Sequence, residues 1–138
     1  MATSQTGAKV TNGEKHFKIL FVDDEKVAHR SIGGFLRDLG YRVLIAENGK
    51  QALDMLQKEN GVGLIISDIR MPVMNGLQLL RSLREQKRRL PVILITGYGD
   101  IDSAAEALRY DAFEYLKKPV NLNQLLASIK HIEEFNSE

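Results

Sequence analysis

Five side chains stand where short apolar runs end, and their types suit a carboxylate site that handles phosphate. Asp23 and Asp24 follow the run 18–22, Asp68 follows 64–67, Thr96 follows 92–95, and Lys118, ahead of Pro119, follows 113–116. If these runs are parallel strands of one sheet, all five emerge at its carboxyl edge, where open α/β sheets bind their ligands. Three carboxylates held together repel one another, and a hard cation relieves that repulsion. Mg²⁺ takes oxygen ligands and needs only one or two carboxylates beside water and phosphate oxygens. A carboxylate can also attack phosphorus and form an acyl phosphate. Such a transfer needs mainly positioning and charge neutralisation. Asp68 is the candidate nucleophile. The Thr96 hydroxyl can donate to one phosphoryl oxygen, and the Lys118 ammonium can pair with another. Each residue alone has a plainer reading. Acids suit the start of a helix, Thr96 suits a strand end, and Lys118 suits solvent. The joint placement carries the site.

The elements that must position these residues alternate along the chain. Residues 17–22 read as a strand. Residues 25–39 read as a helix, with Ala28, Ile32, Phe35, Leu36 and Leu39 on one face. Gly33 and Gly34 weaken that helix by about 1 kcal/mol each relative to alanine, and Gly40 ends it. Strand 42–46 follows, then helix 49–59, closed by Asn60-Gly61. Strand 63–68 is apolar throughout, as a strand buried on both faces should be. Asn75 is placed to cap a third helix, whose Leu77, Leu80 and Leu83 share a face. Strand 91–96, a short helix 101–110 and strand 112–116 come next. Asn121 is placed to cap a last helix, with Leu122, Leu125, Leu126, Ile129 and Ile132 on its buried stripe. Five strands alternating with five helices predict an α/β fold with a doubly wound, five-stranded parallel sheet. Right-handed crossovers put helices on both faces. The rim residues favour the flavodoxin-like order 2-1-3-4-5, which sets strands one, three and four side by side.

Composition bounds what such a domain can do. The chain has 138 residues, a net charge of +1 and no cysteine. One core and one domain are the expectation. Disulfides, zinc–thiolate sites and thiol catalysis are excluded. Bulk charge argues for neither nucleic acid nor a membrane surface. The apolar runs are far shorter than a membrane span. Residues 1–15 read as a flexible tail, residues 16–135 as the domain, and the cytoplasm as its compartment. His16, His29 and His131 read as solvated surface residues. The run Arg81, Arg84, Lys87, Arg88 and Arg89 reads as a solvated helix face, and without interleaved aromatics it does not support nucleic-acid binding. Met71 and Met74 read as loop packing.

The segment after Asp68 adds a turn. Pro72 prevents the strand from continuing, and residues 71–76 lead into the Asn75 cap. The loop brings the Ile69 and Arg70 backbone to the rim, where a carbonyl could join the acids. The Lys118-Pro119 bond is a candidate cis peptide.

Asp23-Asp24, then Ser67-Asp68-Ile69-Arg70-Met71-Pro72 with Asn75-Gly76, then Thr96-Gly97 and Lys118-Pro119 resemble the signature of response-regulator receiver domains of two-component signalling. The resemblance runs from about residue 17 to 132. It implies that Asp68 accepts phosphate from a histidine kinase or histidine phosphotransfer protein. It implies that Asp23 and Asp24 hold Mg²⁺ together with Asp68 and the backbone carbonyl of Arg70. It implies that Thr96 and Lys118 bind the phosphoryl group and that Tyr115, three before Lys118, is an aromatic switch. The face made by helix four, strand five and helix five is then the surface for an effector or a second copy, with Ile101, Tyr110 and Tyr115 as candidates. Asn75 stands where Asp is frequent in the family. Arg70 and Tyr98 occupy positions that tune phosphoryl lifetime there. Thr96-Gly97-Tyr98-Gly99-Asp100 resembles receivers of the nitrogen-regulation class of transcription activators. Two rivals belong to other classes. A haloacid-dehalogenase-like phosphohydrolase needs an acid two residues after its nucleophile, where this chain has Arg70. A flavodoxin-like flavin binder needs a Ser/Thr/Gly-rich phosphate loop after strand one, where this chain has Asp23-Asp24.

Overall fold

The computed structural model describes residues 17–97 and 101–136, apart from the side chains of Ile101 and Asn136. Five strands alternate with five helices: β1 (Lys18–Val22), α1 (Lys26–Asp38), β2 (Arg42–Ala46), α2 (Gly49–Lys58), β3 (Val62–Asp68), α3 (Gly76–Glu85), β4 (Val92–Thr96), α4 (Ile101–Arg109), β5 (Glu114–Lys117) and α5 (Leu122–Asn136). All strand pairs are parallel, in the order β2-β1-β3-β4-β5. The sheet is the doubly wound one that the alternation and the rim residues predict.

Period-two alternation along the strands divides the core. Ile19, Phe21, Leu64, Ile66, Ile93 and Ile95 pack with Leu36 of α1 and with Leu125, Ile129 and Ile132 of α5. Leu20, Val22, Ile65 and Leu94 pack on the other face with Ala52 and Leu56 of α2, with Leu79, Leu80 and Leu83 of α3, and with Ala107 of α4. Each fully buried aliphatic side chain contributes about 1.5–3 kcal/mol, so β1 and β4, buried over nearly their whole length, anchor the rim. Met71 and Met74 pack against the α2–α4 side, as their loop reading predicts.

Local signals set most boundaries. Asn75 and Gln78 form a reciprocal capping box at the start of α3, and Asn121 accepts from Gln124 N at 3.0 Å at the start of α5. Asn48 caps α2 in the same way, accepting from Gln51 N at 2.8 Å. Gly33 and Gly34 do not break α1. Gly33 is buried, and a Cβ there would sit 3.7 Å from Ile45 Cδ1, an ordinary contact that leaves the helix close on β2. Strand five starts two residues later than its periodicity predicts. Asp111 takes φ 59°, and Ala112 N bonds back to Ala107 O at 2.9 Å, so the closing turn of α4 claims Ala112, while Phe113 N bonds to Val92 O at 2.7 Å just ahead of the strand.

The basic run at the end of α3 is not uniformly solvated. Arg84 reaches across to the α4–β5 turn. Its Nε donates to Tyr110 O at 2.8 Å, its Nη2 to Asp111 O at 3.0 Å, and its Nη1 to Arg88 O and Leu90 O, both at 2.9 Å. Burial lowers the guanidinium pKa. Arg81 pairs with Glu106 of α4 at 3.1 Å and lies 5.8 Å from the centre of the Tyr110 ring. Lys87, Arg88 and Arg89 are exposed. Among the described residues, no helix is long and apolar enough to cross a membrane.

Candidate functional site

Strand register gathers the rim residues. Val22 pairs with Ser67, so Asp23 leaves β1 beside Asp68 at the end of β3. Asp68 pairs with Ile95, so Thr96 stands one residue further along β4. Thr96 pairs with Lys117, so Lys118 is the first residue beyond β5, and its N–H donates to Thr96 O at 2.7 Å. The Lys118-Pro119 bond is cis.

One carboxylate oxygen from each of Asp23, Asp24 and Asp68 lies within 4.8 Å of the others. Asp23 and Asp68 are buried, and Asp24 is exposed. The set offers only hard oxygen donors, which fits a hard divalent cation better than a soft one. Lys118 Nζ lies 3.4 Å from Asp68 Oδ2, and Ile69 N donates to Asp68 Oδ1 at 2.9 Å. Burial raises the Asp68 pKa above its ordinary value. Lys118 and the Ile69 N–H oppose this, and the Asp24 charge adds to it. Burial likewise raises Asp23, against the Glu25 N–H that donates to its Oδ1 at 2.8 Å, with Asp68 and Asp24 adding to the rise. Two buried acids thus stand close together, only partly neutralised by one ammonium.

The loop after Asp68 is tightly built. Ile69 N continues the ladder to Ile95 O at 3.0 Å, and Gly76 N returns to Ile69 O at 2.9 Å. Gly76 packs so closely that a Cβ would overlap the Asp68 carbonyl, which lets α3 start directly beneath the acid. Val73, exposed at the loop tip, takes φ 71°, an uncommon conformation for a β-branched residue. The Arg70 side chain is exposed. A cleft of about 570 Å³ runs from Asp24 past Arg70 and Met71 to Ser103 on α4.

Thr96 is buried at the same edge. Tyr115 pairs with Leu94, two residues before Thr96 on β4, and is half-buried against the α2–α4 core. Its hydroxyl is buried without a hydrogen-bond partner among the described residues. His16, Tyr98, Gly99, Asp100 and the Ile101 side chain lie outside the described residues.

Two residues acquire a place at the site that their types did not signal. His29 is not a solvated surface residue. It is half-buried on α1, with Nε2 2.6 Å from Asp23 O and its ring edge-on to Phe21. Its partner is a main-chain carbonyl, which no sequence pattern specifies. Gly76 belongs to the quoted motif, but its close approach to Asp68 emerges only once β3 and α3 are packed. His131 is exposed, as its sequence reading has it, and touches the Phe113 and Phe135 rings.

Residues 19–130 match the response regulator receiver domain family. The chain is 39% identical over 113 residues to the C4-dicarboxylate transport transcriptional regulatory protein DctD of Pseudomonas aeruginosa, covering 82% of this chain and 24% of that protein. It is 40% identical over 108 residues to the transcriptional regulatory protein ZraR of Klebsiella oxytoca, covering 78% of this chain and 24% of that protein. The chain therefore spans about a quarter of the length of these relatives. A receiver domain protein of Clostridium thermocellum superposes with a TM-score of 0.81 at 32% identity, covering 88% of this chain and 98% of that one.

Proposed function

The chain belongs to the response regulator receiver domain family, and we propose that Asp68 is its phosphoacceptor, supplied by a histidine kinase or a histidine phosphotransfer protein. One observation carries the proposal: three carboxylates within 4.8 Å of one another, with the Lys118 ammonium 3.4 Å from Asp68. An Asp68 carboxylate oxygen attacks the phosphorus of a phosphohistidine. The P–O bond forms as the P–N bond breaks, and the electron pair returns to the imidazole nitrogen, which takes up a proton. Lys118 pairs with one phosphoryl oxygen, and the Thr96 hydroxyl donates to another. Asp23, Asp24, Asp68 and the Arg70 carbonyl would hold Mg²⁺, whose charge offsets that of the transferring group. The module is a phosphorylatable switch, with turnover limited to its own phosphorylation and dephosphorylation. The domain spans residues 16–135 and works in the cytoplasm beside its kinase.

The acyl phosphate adds nearly two negative charges and three acceptor oxygens. Thr96 moves toward them, and Tyr115 follows into the space it leaves. The unpartnered Tyr115 hydroxyl supports this reading, because a group that gains nothing where it sits has little to lose by moving. The output surface is α4-β5-α5, where Ala104, Ala105 and Leu108 give α4 an exposed apolar strip. The phosphohydrolase alternative has no support in the homologues or in position 70.

Incubation with Mg²⁺ and acetyl phosphate, followed by intact mass measurement, tests the role of Asp68. One acid-stable, base-labile phosphoryl group is expected, and Asp68→Asn should abolish it. Rapid multiple turnover of phosphate esters would contradict the switch reading.

A further inference from the structure

We propose that His29 is a positioning residue for the cation-binding acids, holding the peptide plane that joins Asp23 to Asp24. This rests on the reading of those acids as cation ligands. A carbonyl oxygen only accepts hydrogen bonds. With His29 Nε2 2.6 Å from Asp23 O, that nitrogen carries the hydrogen and donates it. The atoms from Cα of Asp23 to Cα of Asp24 lie in one plane. Fixing the Asp23 oxygen therefore fixes the direction in which Asp24 leaves the chain.

Asp23 is held at its other polar groups as well. Its N–H donates to Ala46 O at 3.0 Å, and its Oδ1 accepts from Glu25 N at 2.8 Å. The imidazole completes the set and is the one side chain among the three partners. Asp24, exposed, depends most on the plane behind it.

The ring is itself well placed to act. It meets Phe21 edge-on, with centroids 6.2 Å apart and planes at 82°, and Phe21 is fully buried in the α1/α5-side core. α1 also lacks the side-chain cap that α2 and α3 possess, since Glu25 at its N-cap makes no such bond. Together with the Glu25 N–H on Asp23 Oδ1, the His29 contact ties the first turns of α1 back to the acid pair.

The test titrates MgCl₂ into the whole chain by calorimetry, with the amide chemical shift of Asp24 followed by NMR. His29→Phe keeps the contact with Phe21 and removes the donor. His29→Gln keeps a donor on a flexible stem. His29→Phe should weaken Mg²⁺ binding roughly tenfold, the usual scale for losing an outer partner of a metal ligand. It should also shift the Asp24 amide in the metal-free protein. His29→Gln should recover most of the affinity. His29→Ala replaces His29→Phe if the larger ring prevents folding. Wild-type Mg²⁺ affinity in the donorless variant would overturn the proposal. Equal loss in the Phe and Gln variants would do the same, marking a packing role. A wild-type chain whose Mg²⁺ binding is absent, or survives Asp23→Asn and Asp68→Asn, would instead remove the cation reading, and the positioning role with it.

Discussion

Asp23 and Asp68 carry their charge against the preference of their surroundings. Burial raises both carboxyls above the ordinary 3.8. A carboxyl raised in this way binds its proton more tightly in the folded chain than in the unfolded one. At neutral pH the pair therefore opposes folding. That opposition fades as pH falls through the raised folded values toward the ordinary one. In metal-free buffer at pH 7, Asp23→Asn should raise the melting temperature, by about 4 °C for each kcal/mol relieved. The gain should shrink as pH drops toward 4. Melts in chelator at the two pH values check this, and a lower melting temperature at pH 7 would count against it. Tyr115 offers a second test, since its buried hydroxyl has no hydrogen-bond partner among the described residues. Tyr115→Phe should stabilise the unphosphorylated protein by about 1 kcal/mol in urea unfolding. The acids, Thr96 and Lys118 were legible in the sequence because all five stand at the ends of apolar runs, and that joint placement carries what no one of them does alone. His29 was not, because its partner is a backbone oxygen that every residue possesses.

Elements meet at bonds that local sequence foretells only in part. The Asn75 and Asn121 caps are local, each joining residues three apart, and both were readable. Arg84 is the contrary case. Its guanidinium joins α3 to the α4–β5 turn through carbonyls of Tyr110 and Asp111, 26 and 27 residues away. Only the packing of α3 beside α4 reveals that this arginine is structural. Arg84→Met should destabilise the protein by roughly 2–4 kcal/mol, since a charged donor leaves carbonyls that must find other partners. Arg84→Lys should recover only part, because an ammonium lacks the planar geometry that meets carbonyls in several directions at once. Chemical denaturation of both variants measures the difference. The late start of β5 has the same kind of origin. Periodicity marked residues 112–116 as strand, but Ala112 bonds to Ala107 and closes α4.

For the whole molecule, the chain spans about a quarter of the length of the relatives it matches, and the proposed output surface is α4-β5-α5. With beryllofluoride and Mg²⁺ as a phosphoryl mimic, light scattering after size-exclusion chromatography should show a dimer formed through α4-β5-α5. Leu108→Glu on the exposed strip should keep the protein monomeric. A wild-type chain that stays monomeric would assign that face to a different partner. The sequence by itself determined the fold class, because five apolar strands alternating with amphipathic helices are too few to close a barrel and bury their faces as an open sheet covered on both sides. It also determined which residues meet at the rim, because parallel strands end at one edge. Tertiary structure alone decided how close they come. Register set Asp23 beside Asp68, the bare backbone of Gly76 let α3 approach the acid, and His29 reached a carbonyl of the same turn. Those spacings depend on packing distances between elements, which residue types along a chain do not specify.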